Sequence, residues 1–152
     1  LIEADHIARK VIQELDMVGV LAVEMFVTKA GEIIVNEIAP RPHNSGHQTI
    51  EANVTSQYEQ HLRCILGLPL GDTTTIIPSA MVNLLGEEGH SGPARYEGFE
   101  EVLKIPGVHV HLYGKQYTKP FRKMGHVTIV DDDAESLKKK ANFVKSTLKV
   151  IT

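Results

Sequence analysis

One cysteine, Cys64, is all that the 152 residues contain. No internal disulfide and no cysteine-ligated zinc site can form, and this usage fits a reducing cytoplasm, with Cys64 itself expected as a small core residue. Long apolar runs are missing too. Residues 18–27 are interrupted by Glu24 and fall far short of the roughly 20 residues that a membrane-spanning helix needs. A basic excess is lacking: net charge is -3 and the pI is near 6.2, which excludes a global field for nucleic acid and leaves only local cationic pockets. There is no internal repeat, no low-complexity tract and no P-loop, since the glycine-rich stretch 86–93 is too irregular to cradle a phosphate. No initiator methionine, basic segment or signal-peptide pattern opens the chain at Leu1-Ile2-Glu3-Ala4-Asp5, so the 152 residues are expected to be a fragment of a longer protein. What is present is an ordinary globular composition, 42% hydrophobic, sufficient for one domain or two small ones.

Periodicity predicts an amphipathic helix over residues 4–15, with Ile7, Val11, Ile12 and Leu15 on one face, then strands over 18–27 and 32–38. A second helix is predicted over 55–66, capped by Thr55 or Ser56 and ended at Gly67, with Gln57, Gln60, His61 and Arg63 mostly in solvent. Pro69 and Gly71 mark a break, and a domain boundary is expected near residue 71. Beyond it come a strand over 76–85 broken by Pro78, a short helix over 97–105, strands over 108–113 and 124–130, and a closing helix over 133–148. Asp133 is its expected cap, Leu137, Ala141, Val144 and Leu148 its inward face, and Lys138-Lys139-Lys140 its wet face. The expected class is α+β, with antiparallel sheets and covering helices.

The stretch IIVNEIAPRPHNSGH, residues 33–47, concentrates the candidate chemistry. Centring the turn between Ala30 and Gly31 sets Glu24 directly opposite Glu37. Like charges opposed across a strand pair are destabilising, and a shared cation, or protonation of one carboxylate, would remove the conflict. Two carboxylates with no cysteine nearby suit Mg²⁺, which completes its shell with water and substrate phosphates. The competing reading is a solvated sheet edge, and a one-residue slip in register would undo the pairing. Asn36 is expected on the opposite face from Glu37 unless a bulge intervenes. Pro40 and Pro42 bracket Arg41, restricting the directions of a guanidinium fork suited to phosphate or carboxylate. His43 and His47 are four residues apart, the spacing of a zinc pair on a helix, but Pro42 and Asn44-Ser45-Gly46 favour a loop. His109 and His111 share a strand face and read as surface or half-buried histidines. The run 114–123 brings Lys115, Lys119, Arg122 and Lys123 together between two strands, either as a phosphate pocket or as an ordinary charged hairpin.

The runs GVLAVEMFVTKAGEIIVNEIAPRPHNSGH, TSQYEQHLRCILGLPLG, PGVHVHLYGK and RKMGHV resemble the C-terminal half of the N5-carboxyaminoimidazole ribonucleotide synthases, ATP-grasp ligases of purine biosynthesis. The resemblance extends over nearly the whole chain. It implies an enzyme that uses ATP and bicarbonate to form carboxyphosphate and carboxylates 5-aminoimidazole ribonucleotide. It implies Glu24 and Glu37 as magnesium ligands on the nucleotide side, with Asn36 beside them, and Arg41 and His43 as catalytic groups next to the phosphoryl-transfer point. Asn44 lies in the same loop on the substrate side. Lys115 and Arg122 match a ribonucleotide phosphate clamp. Phe121 departs from the family, which commonly has glycine after the proline, so the turn aiming Arg122 is expected to differ.

On this reading residues 1–70 are the end of an ATP-grasp domain and 71–152 a small C-terminal domain. The N-terminal domains of the same chain would be missing, the isolated fragment inactive, and a homodimer would follow by resemblance only. The nearest enzyme alternative is the formate-dependent glycinamide ribonucleotide transformylase. A non-enzymatic module that binds a phosphorylated ligand or mediates dimerisation is the alternative of another class.

Overall fold

Helix α1 (Ile2–Glu14) opens the structure, a computed structural model that describes residues 2–152. Ile7, Val11 and Ile12 are half-buried along it as the 3.6-residue period requires, while Leu15, just past its end, is exposed. Strands β1 (Ala22–Val27) and β2 (Ile33–Ala39) follow as an antiparallel pair. Their turn is tight: Thr28 N–H donates to Glu32 O at 2.9 Å, and Gly31, at φ +87°, donates back to Thr28 O at 3.0 Å. Helix α3 (Gln57–Ile65) begins at Ser56, whose hydroxyl accepts from Glu59 N–H at 3.2 Å. It ends in a Schellman motif: Leu68 N–H reaches Arg63 O, Gly67 N–H reaches Cys64 O, and Gly67 takes the left-handed φ of +64°. Cys64 is half-buried rather than a core residue.

These elements belong to the first of two compact units, which runs to Gly46 and resumes over Thr55–Thr73. Ala39 and Thr55 are its only buried residues among those described, and Phe26, Val27 and Leu62 are more than half exposed. A two-stranded sheet offers too little area to cover them.

The second unit comprises His47–Val54 and Thr74–Thr152. Its sheet has β3 (Ser79–Leu85), β8 (Lys123–Val130) and β6 (Val108–Leu112) in that order, all antiparallel, which makes β8 the central strand. The strand expected from residue 76 begins only after Pro78, whose ring removes the N–H that a ladder needs. Central placement explains why Met124, Val127 and Ile129 are fully buried; with Leu84, Val102, Val144, Leu148 and Val150 they make the core. Helix α5 (Ala134–Thr147) packs Val144 into it, with Leu137 and Ala141 alongside, and Asp133 caps the helix by accepting from Ser136 N–H at 2.7 Å. Lys140 leaves the wet face expected for the lysine run: its ammonium lies 2.7 Å from Asp131 and donates to Pro106 O.

Shorter elements complete the unit. They are α2 (Thr49–Ala52), β4 (Gly92–Pro93) paired with β7 (Tyr117–Thr118), α4 (Phe99–Leu103), and β5 (Arg95–Glu97) paired with β9 (Lys149–Ile151). Among the described residues no helix is long and apolar enough to cross a membrane.

Candidate active site

The β1–β2 register places the two carboxylates opposite one another: Ala22 faces Ala39, Val23 faces Ile38 and Glu24 faces Glu37. The route to that pairing differs from a simple hairpin count. Nearer the turn Met25 faces Val35 and Ile33 faces Val27, a register one residue shorter, so a bulge lies between the two halves. Asn36 is the residue left without an opposite partner. Without this extra residue the inner register would carry on and bring Asn36, not Glu37, against Glu24. The bulge thus frees Asn36 from strict alternation, and its side chain is exposed.

After β2 the chain makes a tight turn, Arg41 N–H donating to Ala39 O at 2.8 Å, and then one 3₁₀ turn over Asn44–Gly46. Between these two turns His43 lies against the carboxylates. Its Nε2 lies 3.2 Å from Glu24 Oε1 and its Nδ1 2.8 Å from the Ser45 hydroxyl. One ligand atom each from Glu24, Glu37 and His43 falls within 4.8 Å of the others. Two exposed carboxylates and a half-buried imidazole form a donor set that fits a divalent cation. Arg41 is exposed and rests its Nη1 on Pro42 O at 3.0 Å, a weak tether that a stronger oxyanion would displace. Asn44 Oδ1 is buried and accepts no hydrogen bond among the described residues. The sequence signals had given no reason to single out Ser45.

The helix α3 side chains expected in solvent are mostly engaged instead. Gln57 and Gln60 pair with backbone, His61 Nδ1 accepts from Val20 N–H at 3.2 Å, and Arg63 binds Glu59 and the Pro69 carbonyl. Sequence gives no sign of this, because an amide paired to a distant peptide leaves no periodic trace.

In the second unit Lys115 donates to Lys123 O at 2.6 Å, with its ammonium 5.6 Å from the Tyr113 ring centre, and Arg122 donates to Tyr117 O at 2.8 Å. Both cations are held by carbonyls of their own hairpin. Phe121 adopts φ +63°, a conformation open to glycine at little cost, with its ring 70% exposed. The departure from glycine therefore leaves a turn of the glycine type and adds strain. Phe121→Gly is expected to stabilise the chain by about 1 kcal/mol, since left-handed backbone costs a side-chain-bearing residue roughly 1–2 kcal/mol and the exposed ring forfeits little burial. A urea midpoint that falls in the variant would contradict this.

His43 and His47, the pair at zinc spacing, serve different clusters. His47 packs against His126 at 4.7 Å between ring centres, and His126 stacks on His111 at 4.5 Å and 15°. His111 Nε2 in turn meets Glu51 Oε1 at 2.6 Å, and His126 Nδ1 meets the Tyr113 hydroxyl at 3.0 Å. His109 is exposed. Sequence spacing linked His109 with His111; cross-strand register instead joins His111 to His126.

Known protein families match two stretches of the chain. Residues 1–58 match the ATP-grasp domain, and residues 79–140 match the family described as phosphoribosylaminoimidazole carboxylase C-terminal domain. The phosphoribosylaminoimidazole carboxylase of Vigna aconitifolia, named as chloroplastic, is 47% identical over 88% of this chain and 25% of its own length. The N5-carboxyaminoimidazole ribonucleotide synthase of Bacillus subtilis is 50% identical over 84% of this chain and 32% of its own. Among solved structures, the synthetase from Thermotoga maritima superposes with a TM-score of 0.90 at 58% identity, covering 98% of this chain and 42% of that one. The synthase from Aspergillus clavatus, in complex with ADP and 5-aminoimidazole ribonucleotide, superposes at 0.81 with 36% identity, over 95% of this chain and 39% of that one. This chain thus spans between 25% and 42% of the length of these relatives. With an ATP-grasp match leading into the carboxylase C-terminal domain in one continuous α+β chain, it belongs to the N5-carboxyaminoimidazole ribonucleotide synthase family and corresponds to the C-terminal portion of its members.

Proposed function

We propose that the chain is the C-terminal part of an ATP-dependent carbon–nitrogen ligase that carboxylates 5-aminoimidazole ribonucleotide with bicarbonate, a step of purine biosynthesis. The opposition of Glu24 and Glu37 carries this reading, because two carboxylates supply the hard oxygen donors for the magnesium that phosphoryl transfer requires, with the His43 imidazole beside them. A bicarbonate oxygen attacks the γ-phosphorus of ATP, ADP leaves, and carboxyphosphate forms. The exocyclic amine then attacks the carboxyl carbon, loses a proton and releases phosphate. Magnesium held by Glu24 and Glu37, when bound, neutralises charge on the phosphates. Asn36 sits beside that pair on the nucleotide side. The Arg41 guanidinium stabilises charge on the acyl phosphate, with His43 and Asn44 in the same loop. Lys115 and Arg122 exchange their backbone carbonyls for the ribonucleotide phosphate.

We place the boundary near residue 71, with 1–70 ending the ATP-grasp domain and 71–152 forming the small C-terminal domain. The adenine pocket and the remaining substrate contacts come from N-terminal domains of the complete chain, which also cover the bare apolar side chains of β1, β2 and α3. A homodimer and a cytoplasmic location complete the reading. The lone cysteine supports the cytoplasm, and the Vigna relative shows that family membership also accommodates a plastid.

The test is ADP release that depends on 5-aminoimidazole ribonucleotide, measured for the complete protein with bicarbonate or formate, and for this chain by itself. Bicarbonate-dependent turnover by the complete protein and none by the isolated chain are expected, since positioning between subdomains supplies most of such catalysis. Formate-dependent turnover of glycinamide ribonucleotide would move the assignment to the transformylase, and turnover by the chain alone would overturn its expected inactivity.

A further inference from the structure

Three side chains on one face of α3, Gln57, Gln60 and His61, stand at the spacings i, i+3 and i+4 that bring helix positions together. Gln57 closes a double hydrogen bond on a single residue: its Oε1 accepts from His43 N–H and its Nε2 donates to His43 O, both at 2.8 Å. The amide orientation follows from the pairing, because the peptide N–H needs an acceptor and the carbonyl a donor. Gly46 makes room for it, since a Cβ there would lie 2.5 Å from Gln57 Oε1 and 2.8 Å from its Cδ. Gln60 builds the same device on another residue, accepting from Gly71 N–H at 2.8 Å and donating to Gly71 O at 3.0 Å.

The two glutamines differ in what they hold. Gly71 carries no side chain, whereas His43 carries the imidazole set between Ser45 and Glu24. His43 O also accepts from Gly46 N–H at 3.0 Å, but among the described residues no backbone group accepts from His43 N–H and no neighbouring strand pairs with it. With its peptide fixed at both polar atoms, the ring is left little freedom beyond its own two torsions.

We propose that Gln57 is a positioning residue of the ligase: it pins the His43 backbone as a substitute strand would, and so holds the His43 imidazole against Glu24. Gln57 acts through His43 and needs no contact with substrate. The inference rests on the role given to His43 above, and its test separates the two.

The complete enzyme is assayed with Gln57→Leu, Gln57→Glu, Gln60→Leu and His43→Ala, with kcat, the KM for each substrate and the thermal midpoint read for each. Gln57→Leu is expected to lower kcat about 10- to 100-fold, the scale of an ångström-sized misplacement, with the KM for 5-aminoimidazole ribonucleotide unchanged. Gln57→Glu keeps the acceptor for His43 N–H and loses the donor to His43 O, so its kcat should fall between those of the wild type and the leucine variant. Gln60→Leu removes an equivalent pair of hydrogen bonds from the same helix face. It should lower the thermal midpoint as much as Gln57→Leu while kcat stays within about threefold. Equal loss of kcat in Gln57→Leu and Gln60→Leu would reduce Gln57 to a structural role and overturn the proposal. Full kcat in Gln57→Leu beside a crippled His43→Ala would do the same while leaving the site intact. An unaffected His43→Ala would instead sink the functional reading on which the proposal stands.

Discussion

Glu37→Gln in the complete ligase is expected to lower kcat by about 10³-fold and to leave the fold untouched. Glutamine keeps the size and one oxygen of the carboxylate and removes its charge. Glu37 is matched with Glu24 across the strand pair, and among the described residues these two supply the negative charge of the cluster with His43. A divalent ion that depends on one or two carboxylates loses half of its protein charge. Phosphoryl transfer is stabilised almost wholly by such electrostatics, and loss of a single preorganised group of this kind costs about 10²–10³ in rate. Stability should move the other way. Glu37 is exposed, so its substitution opens no cavity, and removing one of two opposed like charges relieves about 0.2–1 kcal/mol of repulsion. The measurement is kcat at saturating ATP over a range of magnesium concentrations, beside a thermal melt. Activity within about threefold of wild type would show that the paired carboxylates do not serve the reaction; a collapsed melt would show that they serve the fold.

This pair also shows how far a sequence can be read. The pairing of Glu24 with Glu37 follows from a turn assumed between Ala30 and Gly31, yet the turn is tighter than that and the bulge at Asn36 restores the lost residue. A hairpin count carries no information about a bulge, so the agreement needed both departures to cancel. Elements with strong local signals are legible: β8 from its apolar run, α5 from the Asp133 cap and the spacing of Leu137, Ala141 and Val144. The β5–β9 pairing is not, because three-residue strands more than fifty positions apart have neither periodicity nor a turn to announce them. In the site, Glu24, Glu37 and Arg41 stand out by charge in an apolar or proline-rich context. Gln57, Ser45 and the imidazole stack do not, because their meaning lies in partners that only the folded chain brings near.

Acidification below neutral pH should weaken the second unit by on the order of 3 kcal/mol through His126 alone. The residue is 2% exposed, on the central strand, with His111 stacked against it, His47 at its other side, Tyr113 hydrogen-bonded to Nδ1 and Glu51 close by through His111. Burial disfavours its charged form most, electrostatic repulsion from the neighbouring His111 and His47 adds to this, and Glu51 opposes, with the net result that its pKa is pushed down to about 4 from 6.5. A histidine with a depressed folded-state pKa is neutral in the native unit over a range in which the unfolded chain has already taken up its proton. Its contribution is therefore present in full above about pH 6.5 and drains away as pH falls through the folded pKa near 4. Urea midpoints taken from pH 7.5 down to 4.5 should decline along this curve. His126→Asn removes the titrating ring, so it should begin less stable at pH 7.5, having lost the stack and the Tyr113 hydrogen bond, yet show a flatter decline over the same range. A wild-type midpoint that holds level down to pH 4.5, or a variant as steep as the wild type, would mean that the buried ring is not what senses the proton.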